Sequence, residues 1–164
     1  MATAIKTIKN GRTYTLKSAP INGYKFVVNN SDITLTATIN SPGGIEVQNY
    51  GNVTYGLPIA AYSTAPITID ATSTFTFTPT ATKTFSGGIN GAGMVVKTGT
   101  GTIRFSGGNK TYSGGFHLVQ GTCTCLASNC LGTGVVTLEA GTVLNKSGYS
   151  IPNTIINNGG TVNP

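Results

Sequence analysis

Apolar residues alternate with threonine along much of this chain. Residues 33–39 read ITLTATI and residues 74–78 read TFTFT, a period of two that puts the apolar side chains on one face of an extended strand. Shorter runs predict further strands at Tyr14–Leu16, Tyr24–Val28, Ile45–Val47, Val53–Tyr55, Ile67–Ile69, Phe75–Phe77, Met94–Lys97, Thr102–Phe105, Phe116–Val119, Val135–Leu138, Thr142–Leu144 and Thr154–Ile156. Between them stand Asn10-Gly11, Asn22-Gly23, Pro42-Gly43-Gly44, Gly87-Gly88, Gly107-Gly108-Asn109, Gly114-Gly115 and Gly159-Gly160. These are turn residues, because glycine and asparagine tolerate positive φ. No stretch carries apolar residues at helical spacing. Residues 57–82 hold Pro58, Pro66 and Pro79 and are expected to form an irregular excursion or edge segment.

Many short strands suit a sandwich or a solenoid. The strands here are unusually short and their turns are rich in glycine and asparagine. The C-terminal half also repeats similar phrases: GTGTIRF, QGTCTCL, GTGVVTL and AGTVL. Stacking such phrases one strand spacing apart aligns threonine with threonine and buries a continuous core. The expected fold is therefore all-β, a β-solenoid spanning residues 1–164 as one domain. At ~20–25 residues per turn it would make about seven short rungs, a rod of roughly 30–35 Å. Residues 1–18 combine a turn at Asn10-Gly11 with Lys6, Lys9, Arg12 and Lys17 and are expected to cap one end, since edge lysines oppose strand addition. Asn153–Pro164 is uncharged and has strand character, so the C-terminal rung is expected to contact another copy, an adjoining chain or a following domain.

The stretch MVVKTGTGTIRFSGGNKTYSGGFHLVQGTCTC resembles the autotransporter-associated β-strand repeat. Lys97-Thr98-Gly99, Gly101-Thr102-Ile103, Phe105-Ser106-Gly107, Asn109, Tyr112-Ser113-Gly114-Gly115 and Gly121-Thr122 take the places of that repeat's turn and core residues. Leu131-Gly132-Thr133-Gly134 and Gly141-Thr142-Val143-Leu144 resemble its later phrases. The likeness covers about residues 88–145. It implies a single-stranded right-handed parallel β-helix of the passenger type and says little about function, because the matched residues build turns and core. Residues 1–87 match the repeat poorly, and three cysteines are more than such passengers generally carry.

Composition agrees with an all-β reading. The 164 residues include 28 Thr, 23 Gly and 15 Asn, and only 9% are charged. Ten Lys and Arg against four Asp and Glu give a net charge of +6. No recognition helix, zinc-finger spacing or RNP-type aromatic motif goes with that charge, so specific nucleic-acid binding is not expected. The lysines read as a solubilising face. No apolar run is long enough to span a membrane as a helix. The opening MATAIKTIKNGRTY lacks the apolar core of a signal peptide, so the expectation is either a processed or excised fragment or export by information absent from this sequence.

Candidate chemistry is sparse. The carboxylates are Asp32, Glu46, Asp70 and Glu139, scattered in sequence although stacking could bring them together. His117 is the single histidine, placed by alternation on the face opposite Phe116 and Leu118. A Ser-His-Asp arrangement would need it beside Ser106 or Ser113 and Asp70, without any nucleophile-elbow motif. Cys123, Cys125 and Cys130 could be buried apolar residues, one disulfide plus a free thiol, or, with His117, zinc ligands. Cys-x-Cys on one strand is poorly placed to bond itself, so a disulfide would join Cys130 to Cys123 or Cys125, and no metal is expected. Tyr50, Tyr55, Tyr62 and Tyr112, with Tyr149, are candidates for stacking on sugars.

These residues predict a non-enzymatic structural or adhesive solenoid without cofactor, extracellular or on a cell surface, acting as fibre, spacer or binding surface for surface glycans. A virion or phage fibre component and a carbohydrate-active β-helix enzyme are the alternatives.

Overall fold

The computed structural model describes residues 4–8, 13–16, 24–35, 44–56, 66–107 and 109–164, the first two stretches and Tyr24 as backbone alone. The described residues form strands and turns with no helix. In chain order the strands are β1 (Ala4–Ile8), β2 (Thr13–Leu16), β3 (Tyr24–Asn29), β4 (Asp32–Leu35), β5 (Ile45–Gln48) and β6 (Asn52–Tyr55). Next come β7 (Ile67–Ile69), β8 (Thr74–Phe77), β9 (Lys83–Phe85), β10 (Ile89–Gly91), β11 (Met94–Lys97) and β12 (Thr102–Phe105). The last are β13 (Phe116–Leu118), β14 (Thr122–Cys125), β15 (Val136–Glu139), β16 (Val143–Asn145), β17 (Ile155–Asn158) and β18 (Thr161–Asn163).

They stack into three parallel walls. The first is β1-β3-β5-β7-β10, the second runs through eight strands from β2 to β17, and the third is β9-β12-β14-β16-β18. Every neighbour in a wall is one turn of the chain away. In the second wall Ile33 pairs with Val53, then Phe75, Val95, Phe116, Val136 and Ile155, so each turn takes 19 to 22 residues. The chain is a parallel β-solenoid, as its short strands and tandem phrases predict. Within 57–82, where an irregular excursion is expected, Ile67–Ile69 and Thr74–Phe77 are regular wall strands, and residues 57–65 lie outside the described ones. Ala4–Ile8 and Thr13–Leu16, within the expected cap, pair in parallel with β3 and β4. Their lysine side chains lie outside the described residues.

Alternation decides what is buried. In β8 the phenylalanines Phe75 and Phe77 point inward and are fully buried, while Thr74 and Thr76 face out. Aromatic rings fill the interior: Phe77 lies 5.0 Å from Phe75, 5.2 Å from Phe85 and 5.6 Å from Phe105, centroid to centroid, in tilted and edge-on contacts. Each such ring is worth about 1.5–3 kcal/mol of burial. Close stacking leaves some positions no room for a side chain. Gly91 has φ +103°, and a Cβ there would sit 2.0 Å from the Ile69 carbonyl oxygen one turn below.

Two core positions are lysines, and this overturns their reading as a solvated face. Lys97 takes its place in the inward ladder Leu35–Tyr55–Phe77–Lys97–Leu118–Leu138. It is fully buried, and its Nζ donates to the carbonyls of Thr98 (2.8 Å), Gly99 (2.7 Å) and Gln120 (2.8 Å). Lys110 bridges to Ile89, and its Nζ donates to the Ser106 and Gly107 carbonyls while lying 5.5 Å from the Phe105 ring. In each case turn carbonyls, which have no strand partner, receive the buried ammonium. Burial pushes both lysines down to about 8. The carbonyl acceptors favour the charged form and oppose that shift.

Candidate functional site

The turn between β5 and β6 carries Tyr50, the most exposed large apolar side chain among the described residues. Asn49 and Tyr50 both have positive φ, 50° and 62°, a conformation that costs non-glycine residues about 1–2 kcal/mol each. The next turn of the solenoid holds it in place. The Asn49 N–H donates to Asp70 Oδ2 (2.6 Å), the Tyr50 N–H to Thr72 Oγ1 (3.0 Å) and the Gly51 N–H to Ser73 Oγ (3.1 Å). The Tyr50 ring is left 71% exposed. Strain at this turn is offset by three hydrogen bonds, and the outcome is an aromatic ring presented on a braced backbone.

Beside it lies a cleft of about 410 Å³ whose lining includes Glu46, Gln48, Asn49 and Asp70. Two carboxylates therefore share one cleft. Glu46 pairs with Lys25 and accepts from Gln48 Nε2 (2.5 Å). The Lys25 hydrogen bond, stronger than the opposing burial, holds its carboxyl below the usual range. For Asp70 burial would raise the carboxyl, but hydrogen bonds from Ser73, the Asn49 backbone and Thr72 together hold it low. A glycoside-cleaving acid must keep its proton near neutral pH. Neither carboxyl has an environment that does so.

The other acids lie on the second wall. Asp32 accepts from Asn52 Nδ2 at 2.8 Å on the outer face. Glu139 lies 2.7 Å from His117 Nε2 and also receives Asn158 Nδ2. The hydrogen bond from His117 holds Glu139 below its usual range. The histidine that could have joined Ser106 or Ser113 and Asp70 is thus engaged by Glu139, one turn away. Sequence reasoning missed this pair because only the register places strand β15 beside β13.

The cysteines divide as one disulfide and one thiol. Cys130 returns from the turn after β14 to bond Cys125, with Cα atoms 5.8 Å apart. Cys123 is free and buried. Burial pushes its thiol up to about 12, against the pull of Lys97 and Lys110, so it is a poor nucleophile. Among the described residues no three of His, Cys, Asp and Glu gather as metal ligands.

The tyrosines also separate. Tyr55 and Tyr112 belong to the core, at 2% and 0% exposure, and have no ring face to offer a sugar. Alternation in the NVTY strand would have revealed Tyr55 as inward. Tyr112 lies in a turn, where no period marks its direction. Tyr62 lies outside the described residues. Tyr50 and Tyr149 are exposed.

No family model matches the chain, and no solved structure matches it. In an alignment of 140 positions that covers 79% of its length, the chain is 31% identical to the protein named adhesin BmaC autotransporter of Brucella suis biovar 1 (strain 1330). It spans 4% of that much longer protein.

Proposed function

We propose that this chain is a segment of an adhesive β-solenoid displayed on a cell surface or secreted, with a binding role and no catalytic one. The observation that carries the reading is the likeness over most of the chain to part of a protein named as an adhesin, in a chain that stacks as a solenoid. The Cys125–Cys130 disulfide supports an oxidising, extracytoplasmic setting. A solenoid holds its turns in fixed register, so an exposed ring such as Tyr50 is presented without a large ordering cost. At the C-terminal rung Ile155 and Val162 are only partly buried, whereas Val136 and Leu144, their ladder partners, are fully buried. A further rung, from the same or another chain, would cover them.

Beads coated with the chain test the reading. They should bind host cells or extracellular matrix above beads coated with heat-unfolded protein. Tyr50→Ala should reduce that binding without lowering the melting temperature. Equal binding by folded and unfolded coatings would overturn the proposal, as would a hydrolytic or lyase activity on polysaccharides.

A further inference from the structure

Beyond β10 the first wall stops being a sheet. Lys110 still bridges to Ile89, but the chain then crosses this side as turns. Inward these turns continue the core with Tyr112 and Leu131, both fully buried, and with Ile151 packed against them. Outward they enclose a cleft of about 350 Å³, lined by Thr111, Asn129, Thr133, Pro152 and Asn153. That volume is at the small end for a small-molecule site.

The lining of the cleft carries no carboxylate. The one cation beside it, Lys110, turns its ammonium inward onto the Ser106 and Gly107 carbonyls. Asn153 is the fixed point. Its Nδ2 donates to the Gly132 carbonyl (3.1 Å) and the Gly134 carbonyl (2.7 Å), which sets the orientation of the carboxamide. Its Oδ1, on the other side, is buried and has no hydrogen-bond partner. That oxygen is too deeply buried for a ligand to reach, so Asn153 shapes the wall of the cleft and other side chains supply its contacts. The two threonines supply acceptors. Thr111 Oγ1 gives its proton to Asn90 Oδ1 (2.7 Å), and Thr133 Oγ1 gives its proton to the Tyr112 carbonyl (3.4 Å). Each keeps lone pairs free. Asn129, held at φ 56°, has an exposed side chain. Acceptors therefore outnumber donors, and a fitting ligand brings hydroxyl protons without charge. Pro152 supplies an apolar ring for the C–H face of such a ligand, and Tyr149, 42% exposed, stands on the same turn.

The geometry points to a binding site for a neutral saccharide unit in this cleft, with the exposed side chains of Asn129 and Thr133 meeting its hydroxyls. This rests on the reading of the chain as a surface-exposed binding protein and assigns the cleft a ligand class. An array carrying neutral, sialylated and sulfated oligosaccharides tests it. The native chain should bind neutral glycans. Asn129→Gly, which keeps the left-handed backbone, and Thr133→Val should each weaken that signal about tenfold. Their melting temperatures should hold, and Met94→Ala, at an exposed residue of β11 away from the cleft, should leave the array signal unchanged. Preference for sialylated or sulfated glycans would overturn the site, as would neutral binding that both cleft variants retain. A blank array from a chain that still holds cells would remove this cleft and leave the adhesive role standing. Loss of both would remove both.

Discussion

Replacing Lys97 with methionine removes a charge from the core and should still destabilise the protein. Burial lowers the Lys97 ammonium from 10.5 to about 8. At 1.36 kcal/mol per unit, keeping that charge at neutral pH costs about 3 kcal/mol. Three hydrogen bonds from a charged donor, to Thr98, Gly99 and Gln120, return about 1.5–3 kcal/mol each. Methionine fills a similar volume but leaves three carbonyls without that donor. The expected net loss is about 2–5 kcal/mol. In a chain of this length that lowers the melting temperature by roughly 5–15 °C. Urea unfolding followed by far-UV circular dichroism, with midpoint and slope both fitted, measures it. Lys110→Met should cost less, because only two carbonyls receive Lys110. A Lys97→Met protein as stable as the native one, or more so, would refute the view that these lysines hold the turns together.

Stability should respond to alkali in an unusual order. Lys97 and Lys110 lose protons in the folded chain near pH 8 but in the unfolded chain near 10.5, so stability should rise between pH 8 and 9. Above pH 9 unfolded Cys123 ionises while folded Cys123 holds its proton to about 12, and above 10 Tyr112 acts the same way. Those two groups offset the lysines, and urea midpoints should flatten and then fall beyond about pH 10.5. Gly91→Ala should cost about 2–4 kcal/mol, because its Cβ meets the Ile69 carbonyl, whereas Gly141→Ala, with positive φ but open space, should cost about 1 kcal/mol. Thermal melts of the two variants separate contact from backbone strain. Cys130→Ser should remove about 2 kcal/mol, as expected for a bond closing so short a loop. Thiol counting on the native chain under denaturing conditions should find one reactive thiol, from Cys123.

The wall strands with clear alternation were legible in the sequence, because threonine and apolar residues mark opposite faces of TFTF, NVTY and TIRF without help from neighbours. Ile89–Gly91 was not, since three residues among glycines carry no period. Lys83–Phe85 was missed because Lys83 reads as solvent-facing. Lys97 shows the deeper difficulty. Period two along MVVK would put it on the same face as Val95, yet its charge reads as solvent-facing. Only the stacking of one turn on the next supplies the Gln120 carbonyl that makes burial tolerable. The His117–Glu139 pair and the Asn153 cleft are likewise products of register, joining residues 19 to 22 positions apart.

The account rests on in-register parallel stacking, and distances between spin labels test it most directly. Thr34, Thr54, Thr76, Val96, His117 and Thr137 form one outward ladder of the second wall. Labels at Thr34 and Thr137 are then five strand spacings apart, about 24 Å, and labels at Thr54 and Thr137 four, about 19 Å. Pulsed electron paramagnetic resonance should give two narrow distributions whose centres differ by about 5 Å, one spacing. Equal distances, or a Thr54–Thr137 separation longer than Thr34–Thr137, would contradict the stacked solenoid.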